Sequence, residues 1–344
     1  MISESPIDIM VEVENLNVQF GKKQIVRDVS FNVNKGEIIG MFGISGAGKT
    51  TIIRVLTCQI GQKNWSGKVN VTGLSPNKKR NHREILSNIG YVPQLEQLNL
   101  YFELSPLANV DIFTSTYGMD KKEANKVAKN LFMILDIPED TWHKRVKHMS
   151  GGEKKRLSMA IGLIHNPNVL FLDEPTTGVD ASKRYEILSY LKKLNQKLQT
   201  TMFIITHDLE AALICDKAAI LREGKMLSFD SPKKLISSLP SNGIIARVTI
   251  ENLNQQTIDI IQQFPPIQEI LRVGNEVIEV MMHDFEVNLP KLIQYLVNKG
   301  FNITAMSRDV ATFRRFFQIR IKEEEQKEKE QNSSIVENKE VPDE

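Results

Sequence analysis

The stretch that decides the fold reads Ile38-Ile39-Gly40-Met41-Phe42-Gly43-Ile44-Ser45-Gly46-Ala47-Gly48-Lys49-Thr50-Thr51. A short apolar run of buried-strand type leads into a glycine-rich turn. Lys49-Thr50-Thr51-Ile52-Ile53-Arg54-Val55-Leu56 then opens a helix with Ile52, Ile53 and Leu56 on one face. Strand, turn and helix form the context that the pattern G-x-x-x-x-G-K-[ST] requires. Its glycines let backbone N–H groups turn toward an anion without Cβ clashes, and the helix N-terminus adds its dipole. Lys49 supplies a point charge for outer phosphates, and the Thr50 hydroxyl suits Mg²⁺. A flexible Gly/Ser turn would lack both flanking elements.

N-terminal to this loop, residues 9–20 and 24–33 alternate weakly, as in Val11-Glu12-Val13-Glu14, and predict two or three antiparallel strands. Phe20 stands before Gly21 at a turn. Its ring either stacks on a nucleotide base or ends a strand in the core, and the residue alone favours neither. C-terminal to the loop, residues 66–73 read as a strand between glycines. Lys78-Lys79-Arg80-Asn81-His82-Arg83 reads as a solvated loop or first helical turn. Ile89-Gly90-Tyr91-Val92-Pro93-Gln94 is a short strand ending at a proline, with a Gln side chain able to reach a metal or a water. Residues 121–135 form an amphipathic helix, with Ala124, Val127, Ala128, Leu131, Ile134 and Leu135 on one stripe. A helical insertion over about 95–165 is therefore expected.

Met149-Ser150-Gly151-Gly152-Glu153-Lys154-Lys155-Arg156 precedes another helical run. It offers a second anion site at a helix N-terminus, an N-cap with Ser150 and Glu153 as a capping box, or both. Val169-Leu170-Phe171-Leu172 followed by Asp173-Glu174 reads as a buried parallel strand with acids at its C-terminal end, which is where ligands sit in parallel sheets. Asp173 suits a Mg²⁺ contact and Glu174 a base for water. A helix is expected over 181–198, then a strand over 202–206 ending at His207.

The 344 residues carry 44 Lys plus Arg against 42 Asp plus Glu, a net +2. That balance argues against a nucleic-acid coat. Cys58 and Cys215 stand apart, so neither a disulfide framework nor a zinc cluster is indicated. No apolar run reaches the ~18 residues of a bilayer span, and no signal peptide is evident, so a soluble chain is expected.

In combination these residues resemble an ABC-type ATPase, the nucleotide-binding subunit of an ATP-binding-cassette transporter, over about residues 9–235. Gly43, Ile44, Ser45, Gly46, Ala47, Gly48, Lys49, Thr50 and, next to them, Thr51 match its phosphate loop, Gln94 its Q-loop, and Ser150-Gly151-Gly152-Glu153 its signature motif. Val169 to Asp173 match Walker B, Glu174 the catalytic carboxylate, Gly178-Val179-Asp180 the D-loop and His207 the switch histidine. Phe20 stands where the family places its base-stacking aromatic. The resemblance implies a P-loop α/β cassette with a mixed-sheet core, an antiparallel β subdomain and a helical subdomain. It implies ATP and Mg²⁺ as ligands, with Thr50, Gln94 and Asp173 on the metal and Glu174, His207 and Lys49 in catalysis. It also implies a head-to-tail homodimer in which Ser150 and Gly152 of one chain cover ATP held by Lys49 and Thr50 of the other. Met149 replaces the usual Leu and Val179 another, and neither change removes a catalytic group.

Pro240-Ser241-Asn242-Gly243 reads as a linker between a cassette over 9–239 and a small α+β domain over 241–318. In that domain Ile278, Val280 and Met282 alternate, and Leu289, Leu292, Ile293, Leu296 and Val297 fall at helical spacing. The domain weakly resembles the accessory domain of drug- and antibiotic-export ATPases that work with separate ABC-2-type permeases. Residues 322–344 carry nine acids, four lysines and no aromatics, a composition that reads as a disordered tail. The whole implies a peripheral subunit at the cytoplasmic face of the membrane that powers a permease, with export as the direction. The competing class is a soluble ABC ATPase acting on the ribosome or DNA; its coiled-coil insertions, zinc cysteines and paired cassettes are not seen in the sequence.

Overall fold

The computed structural model describes residues 9–337, with side chains as far as Glu330. The chain divides into two units that meet at Ser231 and Pro232.

The first unit begins with the hairpin β1 (Ile9–Phe20) and β2 (Lys23–Asn34). Strand β3 (Ile38–Phe42) runs through the phosphate loop into α1 (Lys49–Leu56). β4 (Trp65–Val71), α2 (His82–Asn88) and β5 (Ile89–Val92) follow. The helical insertion holds α3 (Pro106–Thr116), α4 (Lys121–Ile134) and α5 (Gly151–Leu163). β6 (Val169–Asp173), α6 (Ala181–Leu198), β7 (Thr201–Thr206), β8 (Lys217–Arg222) and β9 (Lys225–Asp230) complete the unit.

The central sheet has the order β5-β6-β7-β3-β8-β9. Its first five strands are parallel, and β9 closes the edge antiparallel to β8. Strands β3 and β7 are buried at every residue, as expected where helices or a second sheet cover both faces. An antiparallel sheet of order β2-β1-β4 lies over one face. Its inward Val11, Val13, Val29 and Phe31 join Met41, Ile52, Phe171 and Phe203 in one core, where the Phe171 and Phe203 rings stack at 5.1 Å.

The helices of the insertion start where the sequence caps them. Ser105 accepts from the Ala108 N–H ahead of Pro106, and Asp120 accepts from the N–H groups of Lys122 and Glu123. Such caps satisfy donors that the first helical turn leaves open.

The second unit contains α7 (Pro232–Ser237), β10 (Ile244–Ile250), α8 (Gln255–Gln262), β11 (Ile267–Arg272), β12 (Val277–Met282), α9 (Phe285–Asn298), β13 (Ile303–Val310) and α10 (Phe313–Glu337). Its antiparallel sheet has the order β11-β12-β10-β13, the split β-α-β-β-α-β arrangement. Val248, Ile278 and Val280 face Ile261, Phe285, Leu292 and Leu296 to form its core.

Three expectations about this region change. The structure divides the chain at Ser231, ahead of the expected end of the cassette at 239. The expected linker at Pro240–Gly243 is built into the second unit, where the Ser241 hydroxyl donates to the Met282 carbonyl and accepts from the Phe285 N–H. Residues 322–337 of the expected disordered tail continue α10, and residues 338–344 lie outside the described residues. Glu, Lys and Gln keep a chain polar, yet they are also good helix formers, so composition alone did not separate the two states.

Candidate active site

Strands β5, β6, β7 and β3 are parallel, so their C-terminal ends lie along one edge of the sheet. Val92 pairs with Leu172, Asp173 with Ile205, and Phe42 with Thr206. This register brings together residues 32 to 164 positions apart in sequence. A cleft of about 1120 Å³ opens along that edge, lined by Ile44 through Thr51, Gln94, Asp173, Glu174 and His207.

The loop that enters the cleft has little room for side chains. A Cβ on Gly43 would lie 2.4 Å from the Leu221 carbonyl oxygen. Gly48 caps α1 at φ +97°, in the left-handed region that glycine adopts most readily. No side chain caps α1, so the first-turn N–H groups remain available to an anion. Lys49 is 8% exposed. Its ammonium donates to the carbonyls of Gly43 at 2.7 Å and Ile44 at 3.1 Å, which leaves one of three donors for a ligand. Burial pushes its pKa down, and the charges of Glu174 and Asp173 draw it back up.

Asp173 ends β6 with a carboxylate that accepts from the Tyr91 hydroxyl at 3.1 Å. Burial pushes this carboxyl above its usual range; the Tyr91 bond and the charges of Lys49 and Arg54 oppose the shift. Glu174 follows at φ +49°, a backbone state that is uncommon outside glycine and concentrates at functional sites. Its N–H donates to the Ile205 carbonyl at 2.8 Å, which extends the pairing with β7 by one residue. One carboxylate oxygen accepts from Thr206 at 2.9 Å and Thr177 at 3.2 Å. The other lies 3.0 Å from Nδ1 of His207. An ionised carboxylate only accepts, so in this contact Nδ1 is the donor and Nε2 is left for a partner.

The remaining expected residues are placed as follows. Gln94 lines the cleft with its side chain exposed. Phe20 is 44% exposed at the β1–β2 turn and outside the cleft lining, where Lys23, Gln24, Ile25 and Arg27 of the same hairpin are found. Asp180 caps α6, accepting from the Lys183 N–H at 3.0 Å. Ser150, Gly151, Gly152 and Glu153 do not line the cleft of their own chain. They head α5 with a complete capping box, in which Glu153 N–H donates to Ser150 and Ser150 N–H to Glu153. Sequence reading missed Arg54 and Tyr91. Arg54 lines the cleft four residues after Thr50, a spacing that puts both on one face of α1. Tyr91 gave no such signal, because its partner Asp173 is 82 residues away.

Thr50, Gln94 and Asp173 present a hydroxyl, an amide oxygen and one carboxylate to the same cleft. Among the described residues no group of three or more His, Cys, Asp or Glu could form a metal cage. A small, all-oxygen, single-carboxylate set fits Mg²⁺, which keeps waters and substrate phosphates as its other ligands.

The family model described as ABC transporter matches residues 26–177. The linearmycin resistance ATP-binding protein LnrL of Bacillus subtilis (strain 168) is 30% identical over 261 residues, 76% of this chain and 81% of that protein. ABC transporter G family member 23 of Dictyostelium discoideum is 34% identical over 231 residues, and the match spans 32% of its length. The methionine import ATP-binding protein MetN of Lactobacillus johnsonii is 28% identical over 294 residues, covering 81% of this chain and 82% of the relative. Among solved structures, cbiO1 from Clostridium perfringens, part of the ABC transporter complex cbiONQ, superposes with a TM-score of 0.62 at 25% identity, covering 75% of this chain and 96% of that one. The bacterial ABC transporter cassette MJ0796, as a dimer and in a post-hydrolysis dimeric state with ADP and Pi, matches with a TM-score of 0.57 at 26% identity over 64% of this chain and 98% of that one.

Proposed function

This chain belongs to the ABC transporter family as an ATP-binding, ATP-hydrolysing protein, and from that premise we propose that it dimerises head to tail on ATP and drives a separate membrane permease. The observation that carries this reading is the division of the site. Lys49, Asp173, Glu174 and His207 share one cleft, while the exposed Ser150 and the buried Gly152 stand outside it at the head of α5. A second copy then supplies the missing half. The dimeric MJ0796 cassette supports this arrangement.

In this reading the triphosphate of ATP lies along residues 44–51, with the α1 N–H groups and the remaining Lys49 donor on its oxygens. Thr50, Gln94 and Asp173 hold Mg²⁺, which when bound neutralises and orients the phosphate oxygens. Tyr91 fixes the Asp173 carboxylate by its hydrogen bond. Glu174 accepts the proton of the attacking water, and Thr206, Thr177 and His207 hold its carboxylate in place. Ser150 of the partner chain meets the γ-phosphate, and His207 Nε2 donates to it when both ring nitrogens carry a proton. Phe20 and its hairpin neighbours approach the base. Hydrolysis removes the group that bridges the two half-sites and lets the dimer reopen.

Among the described residues no helix is long and apolar enough to cross a membrane, and in this reading another chain supplies the transport path. We place this subunit peripherally at the cytoplasmic face of the membrane. Export is the direction we favour, from the resistance relative LnrL; methionine-import relatives are also similar, and transport into or out of vesicles separates the two. The test of the reading is purification of the tagged chain from its native membranes. Co-purification of a multi-span protein that stimulates ATP hydrolysis is expected. Recovery with ribosomes or DNA, and no membrane partner, would overturn it.

Every residue we assign to ATP lies before Ser231. A chain truncated after Ser231 is therefore expected to bind a fluorescent ATP analogue as the full chain does. Loss of binding in a folded truncation would show that the second unit contributes to the site.

A further inference from the structure

Lys155 follows the exposed Ser150 and Gly151 at the head of α5 by about one helical turn, yet its side chain is only 1% exposed. Its ammonium donates to the backbone carbonyl of Gln94 at 2.9 Å and pairs with the Glu96 carboxylate at 3.0 Å. One turn further on, Ser158 is fully buried. Its hydroxyl donates to the Asn99 side chain at 2.9 Å, and the Asn99 amide donates back to the Ser158 carbonyl at 3.2 Å. The first part of the loop after β5 is thus fastened to α5 at Gln94, Glu96 and Asn99. That loop carries Gln94 into the cleft.

We propose that Lys155 is a positioning residue that locks the Gln94 loop to α5, so that ATP and Mg²⁺ in the cleft set the position of the Ser150–Gly152 head offered to the partner chain. The proposal rests on the reading of Gln94 as a contact of the bound metal. An exposed ion pair of two flexible side chains would transmit little, because either side chain can rotate into water. A buried ammonium cannot. Separating it from Glu96 leaves an uncompensated charge in the interior, and separating it from the Gln94 carbonyl leaves a buried donor unpaired, so loop and helix move as one body. Distance alone does not establish coupling; a measured dependence of one site on the other does.

The test is hydrogen exchange of the full chain, with and without ATP and Mg²⁺, at a concentration where light scattering shows a monomer in both states. In the native protein, nucleotide is expected to change exchange both at residues 94–99 and at 150–158. In Lys155→Met the response at 94–99 persists and the response at 150–158 is lost. In a Glu174→Gln background, Lys155→Met is further expected to weaken ATP-driven dimerisation by about 5–150-fold, the usual range of coupling between two sites, with the monomer's ATP affinity unchanged. If Lys155 were only structural, exchange along α5 would rise with and without nucleotide while the nucleotide-dependent difference survived; that result overturns the proposal. Absence of any response at 94–99 in the native protein removes the Gln94 reading, and the proposal with it. Should Lys155→Met fail to fold, Glu96→Gln removes the anion that pairs with the buried ammonium at constant shape, and the same loss at 150–158 is expected.

Discussion

Glu174→Gln is expected to slow ATP hydrolysis by about 10²–10⁴-fold, the usual cost of losing a general base, while leaving ATP binding intact or tighter. Gln matches the shape of Glu and still accepts from Thr206 and Thr177, which lie 2.9 and 3.2 Å from one carboxylate oxygen. It cannot take a proton from water. It also removes a negative charge beside the site of the triphosphate, close enough to Lys49 to raise that ammonium's pKa. ATP then persists with its γ-phosphate bridging two chains. The variant is expected to run on a sizing column as a dimer with ATP and Mg²⁺ and as a monomer without nucleotide. An undiminished ATPase rate would falsify the assignment of Glu174 as the base.

Ser150→Arg, placed in that background, is expected to abolish the ATP-dependent dimer. Two effects contribute and differ in size. The Ser150 hydroxyl accepts from the Glu153 N–H at 3.3 Å, and losing an N-cap costs about 0.5–2 kcal/mol of helix stability. The larger effect is occupation. A long side chain fills the space in which the γ-phosphate of the partner's ATP meets the α5 N-terminus. Ser150→Asn separates the two effects, since Asn caps as well as Ser without a long cationic chain, and it is expected to retain a dimer where Arg does not. Light scattering with ATP and Mg²⁺ reads both variants. Persistence of the dimer in Ser150→Arg would remove α5 from the interface and leave Glu174 as the base of a site completed in some other way.

The two halves of this site differed in how legible they were. The phosphate loop, the capping box of Ser150 and Glu153, and the acids closing the β6 strand depend on neighbours within a few residues. Glycine at a left-handed φ, a cap three residues from its donor and an apolar run ending in carboxylates all leave a mark in the sequence. Family resemblance added roles for Gln94, His207 and Phe20 that single residues did not carry. The second unit was legible in its alternating strand at 277–282 and its helix at 285–298, while β11 (Ile267-Gln268-Glu269-Ile270-Leu271-Arg272) does not alternate and α8 spans only 8 residues.

The sequence by itself determined that a buried strand feeds a glycine loop, that acids close another strand, and that the chain is a P-loop cassette followed in sequence by a smaller α+β unit. Only the tertiary structure decided which residues meet. Parallel register brings Glu174 onto Thr206 and His207, and Tyr91 onto Asp173. Packing of α5 against the loop after β5 buries Lys155, the second cation of an ordinary polar run, on the carbonyl of Gln94. The physical reason is that strand order and loop path are set by packing over long sequence separations. A backbone carbonyl is the same group at every position, so a site built on one leaves nothing in the sequence to read.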